Sequence, residues 1–226
     1  MMSRGGVMDI TGIEVLTTLE ERVAPTHTAL LIVDMQNDYC APGGAGDRNG
    51  RDLSMAQAIV PNVRALIEGA RSASIPVLFT KYTVGPGTAG LAGPEILRRG
   101  IIFAGVDSTI KGTWGHDLID GLPFNPEQDI VIEKRRLNSF VGTDLDLILR
   151  ARGVKTLVLA GVVTQGCVES TVRDAVGHDY YVAVAEDCCA STDAELHRLG
   201  ITSMAKLLRY DEAVTTVGRL LDVWGA

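Results

Sequence analysis

Residues 156 to 167 read TLVLAGVVTQGC, an apolar run that leads through a short turn into a helical pattern. The run is apolar throughout rather than alternating, which is typical of a strand buried on both faces of a sheet. Four similar runs lie elsewhere in the chain: TALLIVD (28–34), IPVLFTKY (75–82), DIVIEK (129–134) and YYVAVAED (180–187). Helical patterns alternate with them at roughly 54–74, 143–152, 167–178, 192–208 and 216–224, and a short sixth strand is expected near 211–216. The alternation predicts an α/β fold, a three-layer α-β-α sandwich around a mostly parallel six-stranded sheet.

The chain has 226 residues, a length that suits one ordinary domain. It contains no repeat, low-complexity segment or linker, so we predict a single domain over residues 1–226, with 1–25 as an N-terminal extension. The stretch from residue 83 to 115 carries many Gly and Pro residues and reads as a long irregular loop. Loops of that length inside a compact domain are usually functional.

Composition excludes several classes of partner. The formal net charge is −7 and no basic run exists, so neither nucleic acid nor an anionic membrane is an expected partner. The longest stretch without a polar side chain, LVLAGVV (157–163), is far too short to span a bilayer, and the N-terminus has no signal-peptide core. The cysteines fit neither a disulfide framework nor a zinc pattern, which predicts a reduced, cytoplasmic protein; they are Cys40, Cys167, Cys188 and Cys189.

Three reactive side chains follow or end predicted strands. Asp34 ends the first strand, Lys134 ends the third, and Cys167 opens the helix after the fourth. Ligands of such sheets bind beyond the carboxyl ends of the strands, where these three groups converge. A helix N-terminus and a nearby cation favour the thiolate, and Asp34 could accept the thiol proton and deliver it to a leaving amine. Each residue also has a plain structural interpretation: an Asx turn, a solvated surface charge and an inert core cysteine.

The chain resembles the isochorismatase-like cysteine hydrolases from about Thr28 to Thr216. The resemblance rests on LLIVDMQNDY (30–39), GTWGHDLIDGL (112–122), IEKRRLNSFVGTDLDLILRARGV (132–154) and LVLAGVVTQGCVESTVRDAVGHDYYVAVAEDCCAST (157–192). It implies a six-stranded parallel sheet with a Rossmann-like strand order. It also implies a nucleophile at Cys167, an acid–base carboxylate at Asp34 and the family's lysine at Lys134. A non-proline cis peptide is expected between Val162 and Val163, with the amides of Val163 and Cys167 as the oxyanion hole.

The resemblance also implies an activity. Vinyl-ether hydrolysis by isochorismatases needs no cysteine, so Cys167 points to amide or ureide hydrolysis. The segment CVESTVRDA (167–175) looks most like the ureidoacrylate and N-carbamoyl amidohydrolases. We therefore expect a cofactor-free homodimer or homotetramer that cleaves the C–N bond of a small linear amide or ureide through a thioester. The alternatives are a nicotinamidase-type or other small-amide or lactam hydrolase, and a noncatalytic member that binds a ligand in the same pocket.

No metal is expected. Nicotinamidases of this family carry an aspartate and two histidines, seen as Asp-Trp-His after the second strand, whereas this chain reads FTKYTVGPGT there. The four histidines are not spaced to chelate together: His27, His116, His178 and His197.

Candidate substrate-binding residues come from the same blocks. They are Gln36, Asn37, Tyr82, Trp114, Arg135 and Phe140. Arg135 or its neighbour Arg136 would bind a substrate carboxylate, the aromatic residues would line the pocket, and the two amides would bind substrate amide groups. For each of them, capping, packing or surface exposure is an open alternative.

Overall fold

The central element is one sheet of six parallel strands. The computed structural model describes residues 8–10, 12–103 and 107–226. Within these ranges, β1 (Met8–Ile10) and β2 (Ile13–Val15) form a separate antiparallel hairpin. The sheet strands are β3 (Thr28–Val33), β4 (Val77–Tyr82), β5 (Ile130–Lys134), β6 (Thr156–Val162), β7 (Tyr181–Ala190) and β8 (Val214–Thr215). All five pairings between them are parallel.

The strand order across the sheet is β5-β4-β3-β6-β7-β8. The chain therefore starts in the middle at β3, builds outward through β4 and β5, then returns to the middle at β6 and builds the other half. This is the doubly wound order, in which ligands bind at the switch point between the first and fourth strands. The predicted sandwich and Rossmann-like order are confirmed, and the switch point lies between the ends of β3 and β6.

Helices cover both faces of the sheet. They are α1 (Leu19–Arg22), α2 (Asn37–Cys40), α3 (Ala45–Arg48), α4 (Ser54–Ala58), α5 (Val60–Ser72), α6 (Gly93–Phe103), α7 (Leu145–Ala151), α8 (Glu169–Gly177), α9 (Ala194–Leu208) and α10 (Val217–Trp224). None of the helices in the described ranges is both long and apolar enough to cross a membrane.

Two apolar cores explain why the strands are continuous hydrophobic runs. Along β3, Leu30 and Ile32 face a core shared with α5 and α10, whereas Leu31 and Val33 face a core shared with α7, α8 and α9. Successive side chains of a strand point to opposite faces, so a strand covered on both sides needs apolar residues at every position.

The segment at 83–115 differs from the prediction of an irregular loop. It contains α6, an 11-residue helix, and an isolated parallel bridge between Val84 and Ile110. The helix at 54–74 is also divided, into α4 and α5 with Ile59 between them. The helix predicted to start at Cys167 starts at Glu169 instead. A π-helical turn, Thr164–Val168, comes directly before it and contains Cys167.

Gly161 permits the close approach of β6 to β3 at the switch point. Its φ is +118°, and it pairs with Val33 in the sheet. A Cβ at this position would lie 2.1 Å from the Val33 carbonyl oxygen, which no side chain tolerates. Glycine at this position therefore lets the chain turn from β6 toward Cys167 directly beside Asp34.

Candidate active site

The three reactive side chains meet at the carboxyl edge of the sheet. Asp34 follows the last residue of β3, Lys134 is the last residue of β5, and Cys167 lies in the π-helical turn after β6. Asp34 and Lys134 have no exposed surface, and Cys167 is 7 % exposed. Residues 100 and 33 positions apart in sequence thus come together because parallel strands end at one edge.

Asp34 and Lys134 form a fully buried ion pair. Lys134 Nζ lies 2.6 Å from Asp34 Oδ2, and it also donates to the carbonyl oxygens of Arg136 and Leu137, both at 3.0 Å. Burial by itself would lower the pKa of Lys134, but the Asp34 carboxylate outweighs burial and raises it, and the interaction with Cys167 adds to that rise. Lys134 therefore stays protonated at neutral pH.

Thr80 fixes the other carboxylate oxygen. Its hydroxyl donates to Asp34 Oδ1 at 2.7 Å and accepts from the Asp34 amide at 3.2 Å. Asp34 itself has a φ of +50°, in the left-handed region that Asp tolerates better than most side chains. Backbone and carboxylate are thus held from β4, the neighbouring strand.

The Cys167 thiol is protonated in the substrate-free site. Burial raises its pKa to about 12; the Lys134 ammonium lowers it, but by less, and Asp34 raises it further. The predicted effect of Lys134 on the thiol has the right direction, because the ammonium lowers the pKa, but removal of the thiol from water raises the pKa by more. Deprotonation needs a base, and the thiol already interacts with Asp34.

The turn before Cys167 presents backbone amides. The peptide bond between Val162 and Val163 is cis. The Val163 amide has no acceptor among the described residues, although the Val163 carbonyl accepts from the amides of Gly166 and Val168. An amide left without a partner beside a reactive thiol is available to a ligand oxygen.

Cys167 lies on the wall of a cavity of about 270 Å³. The lining residues are Tyr39, Gly46, Arg51, Leu53, Tyr82, Arg98, Leu137, Val162, Val163, Gln165, Gly166, Cys167 and Thr192. The volume falls just below the range of about 300–1,000 Å³ typical of drug-sized ligands. A more open cavity of about 730 Å³ lies at the amino edge of the sheet, but it has none of the three reactive residues.

Tyr82 lines this cavity and contacts both Lys134 and Glu95. Its ring lies under Lys134, with Nζ 5.0 Å from the ring centroid, and its hydroxyl donates to the Glu95 carboxylate. Glu95 in turn binds Arg98 through two hydrogen bonds of 3.1 and 2.5 Å. This chain of contacts holds the Arg98 guanidinium on the cavity wall.

Gln36 and Asn37 brace the backbone around the site. Gln36 donates to the carbonyls of Tyr82 and His116 and accepts from the Tyr82 amide at 2.7 Å. Asn37 donates to the Trp114 carbonyl at 2.8 Å. Neither side chain lines the cavity, because its polar atoms are engaged in holding two loops together.

Three other predicted substrate-binding residues lie elsewhere. Trp114 is 52 % exposed, and Arg135 is an exposed residue whose side chain does not line the cavity. Phe140 belongs to the core under α7 to α9, where it stacks on His178 with centroids 4.8 Å apart. The neighbouring Arg136 donates to the carbonyls of Gly90 and Arg135.

Several cavity residues were not among the sequence candidates. Arg98 lies on α6, inside the segment that the sequence predicts to be a loop, and the i,i+3 spacing of Glu95 and Arg98 is the only local sign of a helix there. Gln165 stands two residues before Cys167, and Arg51 had no signal at all. Thr80, which binds Asp34 but does not line the cavity, is marked in the sequence only as a polar residue inside an apolar strand.

The histidines are dispersed over the molecule. His116 contacts the Thr83 hydroxyl and His197 the Thr164 hydroxyl, each at 2.8 Å, whereas His27 contacts backbone carbonyls and His178 lies 3.6 Å from Asp146. Within residues 8–10, 12–103 and 107–226, no group of three or more His, Cys, Asp or Glu side chains is arranged to hold a metal ion.

Comparisons with known proteins agree with this architecture. A family model described as the isochorismatase domain matches residues 28–217. Ureidoacrylate amidohydrolase RutB of Acinetobacter baylyi is 38 % identical over 196 residues, which are 78 % of this chain and 76 % of that protein. The enzyme of the same name from Methylobacterium radiotolerans is 36 % identical over 192 residues, 80 % of this chain and 74 % of that one.

Solved structures give the same result. A cysteine hydrolase from Pseudomonas syringae pv. phaseolicola 1448A has a TM-score of 0.77 and 26 % identity, covering 99 % of each chain. N-carbamoylsarcosine amidase from Thermoplasma acidophilum has a TM-score of 0.66 and 28 % identity, covering 84 % of this chain and 96 % of its own.

Fold and site define a doubly wound α/β enzyme whose candidate active site lies at the switch point of the sheet. The family match covers most of the chain, and the chain belongs to the isochorismatase family. With its amidohydrolase relatives, that membership makes the protein a hydrolase.

Proposed function

We propose that this protein is a cysteine-dependent amidohydrolase that cleaves the C–N bond of a small linear amide or ureide. One observation carries the proposal: the buried Asp34–Lys134 pair, 2.6 Å apart, meets the Cys167 thiol at the wall of a small cavity. A binding protein has no need of a nucleophile, a base and a cation together. The ureidoacrylate amidohydrolase relatives and the N-carbamoylsarcosine amidase support the substrate class.

The first half-reaction forms a thioester. Asp34 takes the proton of the Cys167 thiol, and the sulfur attacks the carbonyl carbon of the bound substrate. The oxygen of the tetrahedral intermediate accepts hydrogen bonds from the amides of Val163 and Cys167. Asp34 then passes the proton to the leaving nitrogen, the C–N bond breaks, and ammonia or an amine departs.

The second half-reaction releases the acid. Asp34 takes a proton from a water molecule, which attacks the thioester carbon, and the C–S bond breaks as the proton returns to sulfur. Lys134 stays charged throughout and holds Asp34 ionised and oriented. Because burial raises the pKa of the resting thiol, Asp34 is the base that takes its proton in the first half-reaction, and it takes the proton of water in the second.

Intact-mass spectrometry tests the covalent step. The wild-type protein, mixed with a slowly hydrolysed ureide and quenched, is expected to show an acyl adduct that peptide mapping places on Cys167. Cys167→Ala is expected to show neither adduct nor ammonia release, whereas Cys189→Ala, a matched change at another buried cysteine, keeps both. Ammonia release by Cys167→Ala above a few per cent of wild type would contradict the mechanism.

Assembly is a separate proposal that follows from the family resemblance. We expect a homodimer or homotetramer, and sedimentation equilibrium of the purified protein would decide between these states and a monomer.

A further inference from the structure

Lys134 and Cys167 belong to opposite halves of the doubly wound sheet. Lys134 ends β5, at one edge of the sheet, whereas Cys167 follows β6, the first strand of the other half. Three strand spacings of about 4.8 Å separate these strands, so their ends lie about 14 Å apart. Cys167 lies beyond its strand, and the Lys134 ammonium is held by the loop that follows β5. The relative position of ammonium and thiol therefore depends on how that loop meets that turn.

The loop at residues 135–140 is bound to Lys134 near its start and to α8 near its end. Lys134 Nζ donates to two successive backbone carbonyls of the loop, both at 3.0 Å. Further along the loop, the Ser139 amide donates to the Thr171 hydroxyl at 3.1 Å, and the two hydroxyl oxygens lie 2.9 Å apart. The loop therefore reaches from the ammonium to the first helix of the other half of the sheet.

The direction of each hydrogen bond at Thr171 is fixed. A carbonyl oxygen only accepts, so the single proton of the Thr171 hydroxyl goes to the Cys167 carbonyl, at 2.7 Å. Thr171 Oγ1 then accepts from both the amide and the hydroxyl of Ser139. One hydroxyl thus joins the loop that holds the Lys134 ammonium to the residue that carries the nucleophile.

Burial distinguishes this arrangement from an ordinary helical threonine. The hydroxyl of a helical Thr often bonds the carbonyl four residues earlier, and that bond alone has no consequence for a site. Ser139 and Thr171, however, have no exposed surface, so water cannot replace either partner when their bond is lost. Asn138 adds a neighbouring contact, from its Nδ2 to the Ser170 carbonyl at 3.0 Å. The loop is therefore held on α8 at two successive residues.

We propose that Thr171 is a positioning residue whose hydroxyl connects the 135–140 loop to the turn that carries Cys167, and so sets the thiol against the Asp34–Lys134 pair. The inference rests on the proposed function, since it explains how the groups of that site are held together. Thr171 is not one of the residues that line the cavity. Substitutions there should therefore change the rate of the covalent step and leave substrate binding unchanged.

Thr171→Val tests the hydroxyl separately from the shape of the side chain. Valine fills the same space, but it neither donates to the Cys167 carbonyl nor accepts from Ser139. In a quenched single-turnover experiment with a slowly hydrolysed ureide, the maximum rate of adduct formation on Cys167 is expected to fall about 10- to 100-fold, since small displacements of reacting groups are costly. The ureide concentration that gives half the maximum rate should not change. Thr171→Ser, which restores the hydroxyl, should recover most of the rate.

Thr28→Val is the matched control. Thr28 is also buried, and its hydroxyl also donates to a backbone carbonyl, that of Ala24 at 2.8 Å, but at the opposite edge of the sheet. This variant is expected to keep the wild-type rate of adduct formation. Ser139→Ala removes a donor to Thr171 and tests the same connection from the loop, also in the event that Thr171→Val does not fold. Added to Thr171→Val, it should lower the rate little further, because both changes break one chain of hydrogen bonds.

Amide hydrogen exchange of the substrate-free protein tests the connection without catalysis. Thr171→Val is expected to speed exchange both in the loop at 135–140 and in the π-helical turn at 164–168, because each loses its attachment to the other. Thr171→Ser and Thr28→Val should leave exchange in both segments at the wild-type rate.

The possible outcomes distinguish this inference from the proposed function. A wild-type rate of adduct formation in Thr171→Val, or a loss that Thr171→Ser does not restore, would overturn the positioning role while the hydrolase mechanism stands. Exchange that rises in α8 alone would overturn the connection between loop and turn. Faster exchange of both segments in Thr171→Val, combined with no adduct and no ammonia release by wild type from any amide or ureide, would support the connection and reject the mechanism.

Discussion

Asp34 is held through both of its carboxylate oxygens and through its backbone. One carboxylate oxygen faces Lys134 and the other accepts from Thr80, while the backbone adopts a left-handed φ of +50°. Non-glycine residues in that region are uncommon and are found at functional sites more often than elsewhere. The left-handed backbone at Asp34 therefore places the carboxylate between Lys134 and Thr80 and adds nothing to the stability of β3.

Asp34→Asn is expected to abolish formation of the thioester while leaving the fold intact. Asparagine has the same shape, tolerates the left-handed φ and retains an oxygen for Thr80, but it cannot take a proton from the thiol. General acid–base catalysis is typically worth about 10² to 10⁴ in rate. Rapid-quench mass spectrometry should show no adduct on Cys167. An adduct that forms at the wild-type rate would leave Asp34 a positioning residue only.

Lys134→Met is expected to damage both activity and stability. It leaves the Asp34 carboxylate buried without its cation, a change that typically costs about 3–5 kcal/mol. It also removes the cation that lowers the pKa of Cys167, so the thiol becomes harder to deprotonate. Urea unfolding should show the loss of stability. The double variant Asp34→Asn, Lys134→Met should recover much of the stability and none of the activity; additive losses of stability would contradict the pairing.

At the scale of elements, the site depends on how α9 supports the π-helical turn that carries Cys167. Gly200 of α9 lies against the backbone of Gln165, and a Cβ there would come within 3.1 Å of Gln165 Cα and 3.2 Å of its nitrogen. Backbone atoms at that distance must move. The absence of a side chain at Gly200 thus lets the π-helical turn pack close to α9, in the position where Cys167 contacts Asp34.

Gly200→Ala is therefore expected to lower kcat/KM roughly tenfold, since small displacements of reacting groups are costly. Its stability should change little, because the gain in helix propensity, about 1 kcal/mol, is offset by the close contact. Gly218→Ala on α10 is the control: that position faces open space, so the variant should gain about 0.5 kcal/mol and keep its activity. Unchanged kcat/KM in Gly200→Ala would show that the turn is not held by α9.

The elements also show which parts of the fold the sequence could predict. Mostly apolar runs predicted the five long strands, since strands inside a sheet covered on both faces need apolar residues at most positions. In contrast, α6 lies among Gly and Pro residues that obscure an 11-residue helical pattern, and its role depends on the contact of Glu95 with Tyr82, 13 residues earlier. Local sequence carries no information about such a contact.

The same limit applies to the candidate site. Asp34, Lys134 and Cys167 were recognisable because each stands at the end of a strand or beside one. Gln36 and Phe140 were equally prominent in the sequence, yet one ties loops together and the other packs in a core. Whether a polar or aromatic side chain faces the cavity depends on tertiary contacts. For the same reason the sequence favoured a thiolate at Cys167: it shows the nearby cation but not the degree of burial.

At the scale of the whole molecule, burial of cysteine thiols links folding to pH. All four cysteines are buried, and burial raises the pKa of each; for Cys167 and Cys189 it reaches about 12. In the unfolded chain a thiol titrates near 8.5. Between these values the unfolded state loses protons that the folded state keeps, so stability is full below about pH 8.5 and falls as the pH rises toward 12.

We therefore expect alkaline unfolding that is steeper than usual. Each thiol lowers the free energy of unfolding by about 1.4 kcal/mol per pH unit above pH 9, so the four together remove about 5.6 kcal/mol per unit. That loss is comparable to the total stability of many domains. Urea unfolding in the presence of a reductant at pH 7, 9 and 9.5 measures this loss of stability.

Cys188→Ala, which removes one buried thiol away from Asp34, is the control. It should reduce the fall of the unfolding free energy with pH by about a quarter, whatever its effect on stability at pH 7. A free energy of unfolding that stays level up to pH 9.5 would mean that the thiols titrate normally in the folded protein. Cys167 would then be partly ionised near pH 8, and the requirement for Asp34 as its base would weaken accordingly.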